Sequence, residues 1–112
     1  MENKDGGNKF MNWFWDLASD SQERRTLAAK LIIKHLIEAQ KLTSEISIDT
    51  DYAVKRLVRG ISSSRESARL GFSTCLCQLL TLFSVINSNE VCKLLDESTQ
   101  VSTYHVLFID FA

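Results

Sequence analysis

Apolar side chains recur at helical spacing through most of this chain, and short polar runs interrupt them. From Asn8 to Ala18 the pattern predicts a short, very apolar helix. Phe10, Met11, Trp13, Phe14, Trp15 and Leu17 leave only Asp16 as a clear polar mark, and that much aromatic surface must pack on something. "SDSQE" then stops one helix and starts another, with Ser19 and Gln22, or Asp20 and Glu23, as the capping pair. A second helix is predicted over Gln22 to Lys41. Its apolar face is Leu27, Ala28, Leu31, Ile32, His35, Leu36 and Ala39, and its wet edge is Glu23, Lys30, Lys34, Glu38 and Lys41. "LTSEISIDTD" breaks that helix and reads as a loop, since a short strand at Glu45 to Ile48 has no obvious partner strand.

A third helix is predicted to start at Thr50 or Asp51, with Ala53, Val54, Leu57, Val58 and Ile61 inward and Tyr52, Lys55, Arg56 and Arg59 outward. Gly60 is expected to end it in the left-handed conformation. Ser63 with Glu66 spells a capping box for the next helix, and so short a connection lays the two helices side by side and antiparallel. The fourth helix is predicted over Ser64 to Ile86. Its stripe is Ala68, Phe72, Cys75, Leu76, Leu79, Phe83 and Ile86. Its far side, Ser73, Cys77, Thr81 and Ser84, is small and uncharged, which suits a central helix. A last helix at Asn89 to Glu97 turns Val91, Leu94 and Leu95 inward. In the tail "VSTYHVLFIDFA" the helical period fades and β-propensity rises. That tail is expected to be weakly ordered and prone to self-association.

These elements predict an all-α chain of stacked antiparallel helices, of HEAT or armadillo-like repeat type, forming an incomplete solenoid. No fixed-period repeat fits inside so short a chain. The expected division is a disordered amino-terminal tail at 1–9, a helical-repeat segment at 10–98 and an atypical tail at 99–112.

Composition narrows the function classes. The 112 residues are 45% hydrophobic and 24% charged, an ordinary globular mixture for one domain at most. A net charge of −1 argues against a surface that binds nucleic acid all over, so an electrostatic partner must meet a local patch. The 3 cysteines form no CxxC motif, and Cys75 and Cys77 point to opposite sides of a helix. Free thiols are expected, with no metal and no cofactor. Met1 to Lys9 lacks the apolar core of a secretory signal. Leu70 to Asn89 is uncharged and long enough to span a bilayer, yet polar residues interrupt it throughout, so a buried soluble helix is expected and no membrane partner.

Two stretches carry a resemblance. "FWDLASDSQERRTLAAKLI" followed by "YAVKRLVRGISSSRESARLGFSTCLCQLL" resembles the amino-terminal region of the Myb-binding protein 1A / DNA polymerase phi family, over about Phe10 to Leu95. The resemblance implies a helical-repeat protein of the nucleus, chiefly the nucleolus. It implies roles in transcription regulation and ribosome production, and a full length far beyond this chain. Protein partners among transcription or ribosome-assembly factors follow, with rDNA or RNA as a further partner and no small-molecule substrate. The tail from Thr103 to Ala112 departs from the family pattern.

The family's name raises polymerase-type nucleotidyl transfer, which needs clustered carboxylates holding two metals. The acids are scattered instead, and Asp51 beside Asp49 reads as a helix-start residue. No Gly-rich phosphate loop and no nucleophile elbow occur. The chain is therefore read as no enzyme, with no catalytic residue. His35 reads as a satisfied core histidine, and Trp13 and Trp15 as a seal on the end of the stack or a knob for a partner. The binding candidates are Tyr52, Lys55, Arg56, Arg59 and Arg65, because Arg forks match phosphate and carboxylate geometry. A solvated face with internal ion pairs is the competing reading. Arg69 borders the apolar stripe and is expected to reach a carboxylate such as Asp16, or a carbonyl. Trp13, Trp15, Asp16, Gly60, Ser63, Glu66 and Arg69 are assigned structural parts.

Overall fold

The computed structural model describes residues 5–97, with side chains from Lys9 onward. Among these residues all regular structure is helical and no strand occurs. The elements are α1 (Asp5–Leu17), α2 (Gln22–Gln40), α3 (Ile48–Ile61) and α4 (Glu66–Leu82). A fifth helical stretch, α5, runs over 88–97 to the edge of the described residues. None of these helices is long and apolar enough to cross a membrane. The helix at Asp5 begins inside the stretch expected to be disordered. The tail at 99–112 lies outside the described residues.

Short turns make two hairpins, α1 with α2 and α3 with α4, and α2 and α4 pack on each other between them. The first hairpin is antiparallel by its contacts: Phe10, early in α1, stacks on His35, late in α2, at 4.3 Å between ring centroids. One core fills the space. Phe14, Leu17, Ile32, Leu36, Leu57, Cys75 and Leu79 are wholly enclosed, each worth about 1.5–3 kcal/mol of transfer energy for the larger side chains. The predicted stripe of α4 is buried from Ala68 to Ile86 without exception. That helix ends at Leu82 rather than Ile86, and the chain bends at Phe83 while keeping both Phe83 and Ile86 in the core. The face of α2 is rotated from the expected one. Ala29 and Ile33 are buried with Ala28, Ile32 and Leu36, whereas Leu27 is exposed. Two helices, α1 and α4, flank α2 and widen its buried arc beyond a single stripe.

Helix ends depart from the sequence reading in four places. Ser21, not Ser19 or Asp20, caps α2, its hydroxyl accepting from Arg24 N at 3.2 Å. Ser47 caps α3 in the same way, taking Thr50 N at 3.1 Å, so the helix starts before Asp51. Gly60 lies within α3 and not in the left-handed region. Its Cβ, if present, would stand 2.3 Å from Cγ of Phe72, so glycine is needed for the close approach of α4. Ser63 and Glu66 form no capping box: Arg65 occupies the cap position of α4 without a side-chain cap bond, and Ser63 Oγ accepts from Arg65 N instead. A turn closed by Ser62 and Ser63 amides on the carbonyls of Arg59 and Gly60 sets that register.

The α2–α3 turn is held by one side chain. Gln40 accepts from Ser47 N at 3.1 Å and donates to the carbonyls of Thr43 and Glu45. Thr50 is fully buried, and its hydroxyl is satisfied by Ser47 and Gln40, as a buried polar group must be.

Candidate functional site

The outward face of α3 meets the aromatic face of α1. Tyr52 packs edge-on against Phe14 at 5.8 Å, and its hydroxyl accepts from Arg56 Nη1 at 2.8 Å. That bond swings the guanidinium over two rings, 5.3 Å from the centroid of Phe14 and 5.6 Å from that of Trp15. Such contacts contribute about 0.5–1 kcal/mol each at exposed sites. Trp15 is nonetheless 70% exposed, so within the described residues it seals nothing. Trp13, half-buried, touches Phe10 and His35.

The remaining basic candidates divide. Lys55 is matched by Asp51 one turn earlier, at 3.0 Å. Arg59 is exposed and no described carboxylate pairs with it. Arg65 is turned inward along the chain. Its Nη2 donates to the carbonyl of Ala18 at 2.8 Å and reaches Asp20 at 3.3 Å. Ser67 donates its hydroxyl to the same Asp20 carboxylate at 3.0 Å. These contacts clamp the end of α1 to the start of α4. Arg69 donates to the carbonyl of Ser63 at 2.9 Å. It does not meet Asp16, which Arg24 takes at 3.1 Å. The structure thus brings Tyr52, Arg56 and Trp15 together, keeps Arg59 beside them one turn along α3, and removes Arg65 to a different contact.

Asp20, Asp49 and Ser67 were missed as partners, and no local signal could have found them. Asp49 receives His35 Nε2 at 2.8 Å, which makes His35 a half-buried, paired side chain stacked on Phe10. Asp20 and Arg65 are 45 positions apart. No group of three or more His, Cys, Asp or Glu side chains able to hold a metal occurs among the described residues. Burial pushes the Cys75 thiol up to about 12, while Cys77 and Cys92 are exposed. Between α2 and α4 an open groove of 420 Å³ is lined by Gln22, Arg25, Thr26, Ala29, Lys30, Leu70, Gly71, Thr74 and Gln78.

A model of the DNA polymerase phi family matches residues 52–105. The Myb-binding protein 1A-like protein of Danio rerio is 38% identical over 79 residues, covering 70% of this chain and 6% of that protein. The rDNA transcriptional regulator POL5 of Saccharomyces cerevisiae is 45% identical over 69 residues, covering 62% of this chain and 7% of that protein. Myb-binding protein 1A of Homo sapiens is 31% identical over 97 residues, covering 87% of this chain and 7% of that protein. The chain therefore spans only 6–8% of the length of the curated relatives it matches. No solved structure matches it. The relatives carry the names of regulators and binding proteins.

Proposed function

The chain belongs to the Myb-binding protein 1A / DNA polymerase phi family, and from that membership we propose that it is a non-catalytic interaction module of a transcription regulator. The observation that carries the reading is its similarity to two rDNA transcriptional regulators and to Myb-binding proteins. A nuclear, chiefly nucleolar, setting follows, with protein partners in transcription or ribosome assembly. The carboxylates support the non-catalytic side of the reading. Asp16, Asp20, Asp49 and Asp51 are each engaged by a different Arg, His or Lys, whereas two-metal chemistry draws on carboxylates clustered at one site. A HEAT or armadillo-like architecture is supported by the paired helices. It is supported too by the apolar side chains of Leu27, Ile37, Leu70 and Leu82, which stand exposed along α2 and α4 where a further helix of a stack would cover them.

The test is a segment exchange. The matched 69-residue segment of the yeast rDNA transcriptional regulator is replaced by that of this chain, and precursor rRNA synthesis is measured beside a deletion of the segment. The exchange is expected to restore synthesis that the deletion loses. A chimaera that accumulates in the nucleus yet performs no better than the deletion overturns the reading.

A further inference from the structure

We propose that Trp15 of α1 and Arg59 of α3, with Arg56 between them, form a docking site for a short acidic and apolar segment of a protein partner. The inference rests on the interaction-module reading and names the surface and the chemistry of what it meets.

The site is built rather than incidental. Arg56 is fixed by the Tyr52 hydroxyl at 2.8 Å and held over Phe14 and Trp15. Its positive charge is thereby presented in a set position at low further entropic cost. Phe14 is wholly buried and anchors the arrangement to the core. Trp15, 70% exposed, and Met11, 42% exposed, stand one turn apart on α1 and offer an apolar surface. Arg59 stands one turn beyond Arg56, exposed, with no described carboxylate opposite it. Trp and Arg are the side chains that most often dominate binding energy at protein interfaces.

Charge accounting selects the partner. Of the basic side chains around α3, Lys55 is matched by Asp51 and Arg65 by Asp20 and the Ala18 carbonyl. Only Arg56 and Arg59 are left to face outward. The electrostatic part of nucleic-acid affinity grows with the number of phosphates neutralised, and two guanidinium groups supply little of it. One or two carboxylates with an apolar side chain between them match what is present: the apolar group lies on Trp15 and Met11, and the carboxylates take the Arg forks.

The test uses the full chain and four sets of short synthetic peptides: acidic–apolar, basic–apolar, acidic–polar and neutral–apolar, with oligouridylate RNA as a further probe. Binding is read by tryptophan fluorescence and calorimetry. The acidic–apolar set is expected to bind in preference to the others. Arg59→Gln and Trp15→Ala are each expected to weaken it by about tenfold, and both residues are exposed, so the fold should survive. Lys30→Gln, on α2, should leave binding unchanged. Indifference to peptide composition, or equal binding by the Trp15 and Arg59 variants, overturns the proposal. Tighter binding to the RNA with a salt slope of several units overturns it in favour of nucleic acid. The segment exchange reports separately: a working chimaera with no peptide preference discards this site and keeps the interaction reading.

Discussion

Two regions of one basic run behave in opposite ways. On the outward face of α3, Arg56 and Arg59 stay at the surface, one over aromatic rings and one in solvent. At the α3–α4 turn, only a few residues on, Arg65 and Arg69 are spent on backbone carbonyls and on Asp20. The difference follows from position. The carbonyls near Arg56 are bonded within the helix, and those of Arg59 and Gly60 are taken by the Ser62 and Ser63 amides. Both guanidinium groups therefore look outward, although Arg59 lies in the last turn of α3. A guanidinium beside a turn finds free carbonyls within reach, because helix ends leave them unpaired. A count of basic residues therefore measures neither region's availability to a partner.

The sharpest contrast in availability is between two sulfurs on α4. With the Cys75 thiol raised from 9.0 to about 12, its thiolate fraction at neutral pH is about a thousandfold lower than that of an ordinary thiol. A thiol reagent is expected to label Cys77 and Cys92 in the folded chain and Cys75 only on unfolding, read by mass spectrometry. A raised folded pKa means the contribution is complete below about 9, the unfolded value, and is lost as pH climbs towards 12. Melts above pH 9 should therefore fall faster in the parent than in Cys75→Ala. Equal labelling of all three thiols would show that the α4 stripe is not closed.

The two glycines report how tightly α3 and α4 are packed. A Cβ at Gly71 would lie 1.8 Å from the backbone oxygen of Leu17, which cannot swing aside. Gly71→Ala is expected to destabilise by about 3 kcal/mol, at the upper end of overpacking costs. At Gly60 the clash is with Cγ of Phe72, the base of a buried ring rather than a backbone atom. Gly60→Ala should cost up to about 2 kcal/mol once the gain of about 1 kcal/mol in helix propensity is subtracted. Both are read from chemical denaturation. A stabilised Gly60→Ala would show that α3 and α4 are not in close contact there.

The smallest effects break or keep the comparison itself. Arg65→Ala removes a bond to the Ala18 carbonyl and the partly exposed pair with Asp20, and should cost about 1 kcal/mol. Arg59→Gln should change stability by less than about 0.5 kcal/mol, as surface substitutions without partners do. Equal costs for the two would erase the distinction between a structural and an available arginine.

What the sequence by itself determined is what depends on neighbours three or four positions away. The inward stripe of α4, the inward face of α3 and the succession of helices were legible from periodicity alone, because a helix repeats its environment every 3.6 residues. Even locally, competition among equals blurred the reading. Ser19, Asp20 and Ser21 can all cap α2, and Ser21 does so while Asp20 is drawn to Arg65 and Ser67. Only the tertiary structure decided the rest. It rotated the face of α2 by packing a helix on either side, turned Gly60 from an expected helix stop into a point of contact with Phe72, and chose the partner of each charge. Those choices depend on groups up to 49 positions apart in the chain. Local pattern carries no trace of such pairs, because a charge is satisfied by whatever lies near it in space, and packing alone sets that distance.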